Sequence, residues 1–249
     1  MTDIHCHILP NIDDGAKDIN ESLAMCKIAK KDGISVIVAT PHIIPGLYQS
    51  KKELILSKVN ELNNILENRN WKIEHNDSTN PKILPGAENR VHPDLIDSMK
   101  NGKALTINDN MRYIMLDLPH WFIFPYIKEL IVHLKEQGII SIISHPERNT
   151  QIRRNIDILY KLVNAGALSQ ITAMSITGEF GYNVKRFSKK LLSKNLVHII
   201  ASDAHSVCKR PPILSRAVEA AARIVGSNQA LNMVTTIPQA IVEGKGIPH

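Results

Sequence analysis

Short apolar, β-branched runs alternate along the chain with longer amphipathic stretches, the pattern of repeated β-α units around a mainly parallel sheet. Seven such runs stand out, at 2–7, 35–42, 82–88, 113–119, 139–147, 168–175 and 197–205. Between the first two, the segment 18–31 places Ile19, Leu23, Cys26 and Ala29 on one helical stripe, and Gly33 supplies a stop. That assigns Cys26 to the core. The stretch KKELILSKVNELN predicts another helix whose lysines form a solvated face. The polar stretch NDSTNPK at 76–82 is turn-forming but too short to separate two domains. With 249 residues, 43% of them apolar, one domain over 1–249 is expected to bury a full core.

The polar residues are placed unevenly. Nearly every run is apolar until its end and then delivers a histidine or a carboxylate: His5 and His7, His42, Glu88, Asp117, His145, then Asp203 and His205. In a parallel barrel these carboxyl ends gather on one face, where catalytic groups sit. His5 and His7 are one residue apart, so on a strand both imidazoles aim at one point. Only the sixth run lacks a ligand. Taken singly, each residue has a plainer reading: His42 or His145 could cap a loop, Asp117 could bind backbone amides, and Glu88 could pair with Arg90. Jointly, so many buried imidazoles and carboxylates demand a positive charge to hold them.

With Asp14 added, nine candidate ligands are present, enough for two or three divalent ions at about three protein ligands each. The set contains imidazole and carboxylate but no thiolate, which suits manganese, iron or zinc. Asp13 is a candidate proton donor by proximity alone. Arg148, three residues after His145, and Arg210, five after His205, are expected at the same face. Their planar forks match phosphate oxygens, which points to metal-assisted phosphate-ester hydrolysis by an activated water. The plainer reading pairs Arg148 with Glu147.

Other chemistries are disfavoured. A cysteine phosphatase needs an arginine six residues after its nucleophile, and none of Cys6, Cys26 and Cys208 has one. Cys6 is expected to point away from the histidines between which it sits. Scattered and odd in number, the cysteines indicate neither a disulfide framework nor a cysteine-rich zinc site. The net charge of +6 would suit an anionic partner, but aromatics are 4% of the chain and no basic segment is interleaved with them, so no nucleic-acid role is expected. No charged-then-apolar leader precedes the first run, and no apolar stretch approaches the roughly eighteen residues that span a bilayer. A cytoplasmic protein without membrane insertion is expected. The oligomeric state is not legible.

The blocks DIHCHILPNIDDGAKD, ATPH, LPGAENR, LDLP, SHPERN, QITAMSITGEFG and IASDAHSVCKRPP, in order along nearly the whole chain, resemble the bacterial PHP-domain protein tyrosine phosphatases of the CpsB/CapC capsule-regulating type. The resemblance implies a single PHP-type metallophosphatase domain, a distorted seven-stranded (β/α)7 TIM-like barrel, with a trinuclear, typically Mn2+-activated centre. It implies that His5, His7, Glu88 and Asp203 hold one metal. Glu88 would bridge to a second metal that also takes Asp117 and His145, and Asp14, His42 and His205 would hold the third. Arg148 and Arg210 match the phosphate-binding arginines.

The implied substrate is phosphotyrosine on a bacterial tyrosine kinase that regulates capsular or exopolysaccharide synthesis. The alternative within the superfamily is a histidinol-phosphate or other small-molecule phosphatase; outside it, a phosphotyrosine-binding scaffold with a decayed centre. Three positions depart from the family pattern: Ile43 follows His42 where a second histidine is usual, Asp117 replaces a glutamate, and Asn89 replaces an apolar residue after Glu88.

Overall fold

The computed structural model describes residues 1–69, 79–101 and 103–248. Part of the NDSTNPK stretch, 76–78, therefore lies outside the described residues. Among the described residues nine strands follow in chain order: β1 (Thr2–Cys6), β2 (Val36–Ala39), β3 (His42–Ile43), β4 (Lys82–Pro85), β5 (Glu88–Arg90), β6 (Tyr113–Asp117), β7 (Ile140–Ser144), β8 (Leu168–Thr172) and β9 (Ile199–Ala201). They form a three-stranded sheet ordered β1-β2-β4 and a six-stranded sheet ordered β3-β5-β6-β7-β8-β9, with every pairing parallel. The expected α/β class with parallel sheets is observed.

The seven-stranded closed barrel is not. The second and third apolar runs each break into two strands, at Thr40–Pro41 and at Gly86–Ala87. Pro41 has no N–H to give a ladder, although its carbonyl still accepts from Glu88 N at 3.0 Å. At Gly86 a Cβ would lie 2.7 Å from Val38 Cγ1, so the two broken runs approach as closely as they do only because that residue is glycine. Among the described residues β1 and β9 share no ladder. One bridge between Cys6 and Ala204 joins their ends, supported by His7 N→Ala204 O and Asp203 N→His5 O, each 2.8 Å.

Strand alternation sorts the core into two clusters. Ile114, Leu116, Ile143, Ile171 and Ile200 pack toward the helices, while Tyr113, Met115, Ile142, Leu168, Ile199 and Ala201 pack together on the other side. Period two then places Asp117 with Met115, Ser144 with Ile142, and Gln170 and Thr172 with Leu168. In β1 the pairing register shifts between Asp3 and Cys6. Ile4 accordingly joins the strand-side cluster, and Cys6 joins the helix-side one, away from the histidines that flank it.

Helix α1 (Ile19–Lys31) starts at Asp18, whose carboxylate accepts from Glu21 N at 2.9 Å, and buries Leu23, Cys26 and Ala29, with Ile19 half-buried. It ends at Gly33 with φ +82°, where Gly33 N and Ile34 N return to the carbonyls of Lys30 and Ala29. Helix α2 (Lys52–Glu67) buries Ile55, Val59, Leu62 and Leu66 on one stripe. No described helix is long and apolar enough to cross a membrane.

Candidate metal centre

The strand ends bring all nine candidate ligands into one cluster. The register shift in β1 lets His5 and His7, both fully buried, meet at 3.3 Å between their Nε2 atoms. Asp203 lies just past β9, and its Oδ1 is 3.4 Å from His5 Nε2 and 3.5 Å from His7 Nε2. Glu88 faces His42 across the β3–β5 pairing. Its Oε2 lies 2.8 Å from His42 Nδ1, 3.5 Å from His5 Nε2 and 3.7 Å from His7 Nε2, while its Oε1 accepts from His145 Nε2 at 2.7 Å. Asp117 Oδ1 is 3.9 Å from His145 Nε2. Asp14 Oδ1 stands 3.5 Å from both His42 Nε2 and His205 Nε2. Four groupings have ligand atoms mutually within 4.8 Å: His7, Asp14, His42 and His205; His5, Glu88 and His145; His5, His7 and Asp203; His42, Glu88 and Asp117.

Glu88 belongs to two of these groupings, as a bridging carboxylate would. His145 and Asp203 both sit on left-handed backbone, at φ 32° and 52°, which turns their side chains back toward the cluster.

Several atoms here have no hydrogen-bond partner although they are buried: Glu88 Oε2, Asp203 Oδ1 and His42 Nδ1. Glu88 Oε2 and Asp203 Oδ1 each face the Nε2 atoms of His5 and His7 at 3.4–3.7 Å, and His42 Nδ1 stands 2.8 Å from Glu88 Oε2 without the alignment of a hydrogen bond. Converging nitrogen and oxygen lone pairs with no sulfur fit a divalent cation of hard or borderline character.

Burial works against a charge on His7, yet the Asp13 carboxylate bonded to it, with Asp203 and Glu88, drives it up to about 10. Burial, then Arg148, pushes His145 down to about 3, and burial, then the charge on His7, pushes His205 down to about 2. Asp117 is raised to about 7 by burial and by Glu88. Glu88 and Asp203 stay well below the usual carboxylate range: burial opposes their charge, and His5 with His145, or Arg148 with His5, outweighs it. Neighbours of one chemical type thus split apart: burial and nearby cations hold His145 and His205 down, whereas the carboxylates around His7 hold it up.

Asp13, expected as a candidate proton donor, lies behind His7. Its Oδ2 accepts from His7 Nδ1 at 2.7 Å and His42 N at 2.9 Å, its Oδ1 accepts from Gly15 N at 2.9 Å, and His7 in particular holds it down to about 2 against burial. A carboxylate so engaged directs which nitrogen of His7 faces the cluster. Gly15 permits this turn, since a Cβ there would lie 2.1 Å from His7 O.

The arginines also choose partners that local sequence conceals. Arg148 Nη2 reaches Asp203 Oδ2 at 2.9 Å, and Arg210 Nη2 meets the same oxygen. Neighbouring Glu147 instead accepts from Thr172 N and Ser175 Oγ. Arg90 pairs with Asp117 Oδ2 at 2.7 Å rather than with Glu88. The sixth run contributes Gln170, whose Oε1 accepts from His5 Nδ1 at 2.9 Å. The polar residue on the cluster side of that run was its only sequence signal. His120, whose ring centroid lies 5.9 Å from that of His145, was also missed. Of the three departures, Ile43 packs against the helix-side core. Asn89 is fully buried: Nδ2 donates to the carbonyls of Ala87, Leu105 and Met115, and Oδ1 accepts from Leu105 N.

A parallel α/β scaffold whose strand ends converge on a sulfur-free cage of imidazoles and carboxylates, with arginines at its edge, defines the class: an α/β domain built around a candidate multi-metal centre. Within that class, the chain belongs to the CpsB/CapC family of capsular polysaccharide synthesis, whose family model matches residues 1–243. It is 41% identical over 216 residues to CapC of Staphylococcus aureus, covering 87% of this chain and 81% of that protein. Over 210 residues it is 39% identical to the tyrosine-protein phosphatase YwqE of Bacillus subtilis, covering 84% and 79%.

A crystal structure from work on YwqE of Bacillus subtilis and CpsB of Streptococcus pneumoniae, described there as metal-dependent tyrosine phosphatases, superposes with a TM-score of 0.91 at 35% identity, covering 100% of this chain and 96% of that chain. Histidinol phosphate phosphatase of Lactococcus lactis shares the fold alone, at a TM-score of 0.57 and 12% identity, covering 92% and 93%.

Proposed function

We propose that this chain is a metal-dependent protein tyrosine phosphatase that releases phosphate from phosphotyrosine. The observation that carries it is the convergence of nine imidazole and carboxylate ligands with Arg148 and Arg210 at one mouth. Relatives named as tyrosine-protein phosphatases and the superposing metal-dependent structure support the reading. The family's link to capsular polysaccharide synthesis supports, as substrate, a phosphotyrosine-bearing bacterial tyrosine kinase that regulates capsular or exopolysaccharide synthesis.

His5, His7, Glu88 and Asp203 would hold one ion, with Glu88 shared to a second site completed by Asp117 and His145. Asp14, His42 and His205 would hold the third. Manganese suits this donor set, as do iron and zinc. When bound, such ions polarise phosphoryl oxygens and bring a water to its nucleophilic form near neutral pH. The chain's own work is orientation and charge. Asp13 and Gln170 fix the tautomers of His7 and His5, and Arg148 and Arg210 present donors to phosphoryl oxygens as negative charge builds on them.

Purified protein assayed with a phosphotyrosine peptide under titrated Mn2+ tests this. Phosphate release that chelator abolishes and His5→Ala suppresses by at least about a hundredfold is expected. Faster hydrolysis of histidinol phosphate than of the peptide, or release indifferent to chelator, would overturn the proposal.

A further inference from the structure

One aromatic ring serves both arginines. Phe180 stands in the turn between the helices Ala173–Thr177 and Tyr182–Ser193, bracketed by Gly178 and Gly181 at φ 112° and 92°. Arg148 Cζ lies over this ring at 5.3 Å from its centroid, and Arg210 Cζ at 5.6 Å. The two side chains arrive from different places, Arg148 from the short turn after β7 and Arg210 from the loop after β9. They share two anchors: the ring of Phe180 and Oδ2 of Asp203.

Two guanidinium groups brought to one oxygen repel each other, and each has a long stem that would let it swing away into water. The negative face of an aromatic ring opposes that escape and fixes the plane of a guanidinium laid over it. Nε of both arginines is buried without a partner, so the forks keep donors that no protein group uses. The nearby cation Lys185 is committed elsewhere, donating to Thr177 O at 2.8 Å.

We propose that Phe180 is a positioning residue that holds Arg148 and Arg210 as a pair, with donors left over for a phosphoryl group. This rests on the reading of both arginines as phosphate-binding groups. It makes the ring, rather than its bulk, the necessary feature.

The full-length protein loaded with zinc, which is diamagnetic, permits a test by NMR of the arginine Nε–Hε signals and by calorimetry with inorganic phosphate. Ring-current shifts on Arg148 and Arg210 are expected in the wild type and in Phe180→Tyr, and are expected to vanish in Phe180→Leu. The Kd for phosphate should rise about five- to thirtyfold in Phe180→Leu and stay within about twofold in Phe180→Tyr, as loss of two partly desolvated cation–π contacts implies. Metal stoichiometry and Tm should move little. Unshifted arginine signals in the wild type, or equal phosphate binding by Phe180→Leu, would overturn the assignment. If Phe180→Leu does not fold, Phe180→Met is read by the same criteria. A wild type that shows the arginine shifts yet releases no phosphate from phosphotyrosine would sink the phosphatase reading and leave the hold on the arginines standing.

Discussion

Gln170 Oε1 accepts a hydrogen bond from His5 Nδ1 at 2.9 Å, which turns His5 Nε2 toward Glu88 and Asp203. A histidine bound in this way has its tautomer chosen before any ion arrives. Gln170→Leu should therefore lower affinity for Mn2+ by about 10- to 100-fold, the usual cost of losing such an orienting partner. Isothermal titration with Mn2+ measures it, and an unchanged affinity would refute the role given to Gln170.

Asp117 carries a pH prediction. Burial and the Glu88 charge raise its carboxyl to about 7, so below that pH the group holds a proton that a metal must displace. Affinity at the site it completes should rise with pH up to about 7, by as much as tenfold per unit, and level off above it. Mn2+ titrations between about pH 5.5 and 8 follow this. A slope that persists unaltered in Asp117→Asn would exclude Asp117 as its source.

Asn89 should matter to stability, since it is fully buried and bonded to four backbone groups. Asn89→Leu strands the carbonyls of Ala87, Leu105 and Met115 and the N–H of Leu105 inside the protein. At roughly 1–3 kcal/mol for a buried group left unsatisfied, and with partial relaxation, a loss of about 2–4 kcal/mol in urea unfolding is expected. A variant as stable as the wild type would show that these groups find other partners.

The thiols divide two to one. Cys6 and Cys26 are buried, and burial pushes Cys26 up to about 12 and Cys6 well above its ordinary value, whereas Cys208 is exposed. Under native conditions an alkylating reagent should modify one thiol of the three, and in denaturant all three. Mass spectrometry counts the adducts. Early labelling of Cys6 would contradict the packing of β1.

Much of the site was legible because strand periodicity and strand-end placement are local signals. His5, His7, His42, Glu88, Asp117, His145, Asp203 and His205 announce themselves as polar endings on apolar runs. Partner choice was less legible, since it depends on which strands become neighbours. Arg90 stands two residues from Glu88 yet pairs with Asp117, because the β5–β6 ladder places Arg90 opposite Asp117. Gln170 was invisible as a partner for His5, which lies 165 residues away. The broken second and third runs were hidden for another reason: Pro41 and Gly86 read as ordinary strand-end residues until the approach of Val38 shows why a side chain cannot fit.

His145 and Asp203 place their functional groups from a backbone twist that costs L-residues roughly 1–3 kcal/mol apiece. Directed evolution toward heat tolerance would be drawn to the codon of His145, where glycine or asparagine relaxes the torsion, but not to that of Asp203, whose loss would leave Arg148 and Arg210 without their shared carboxylate. A survivor at position 145 would be hardier but short of one proposed metal ligand, so any such campaign must select for turnover and endurance together.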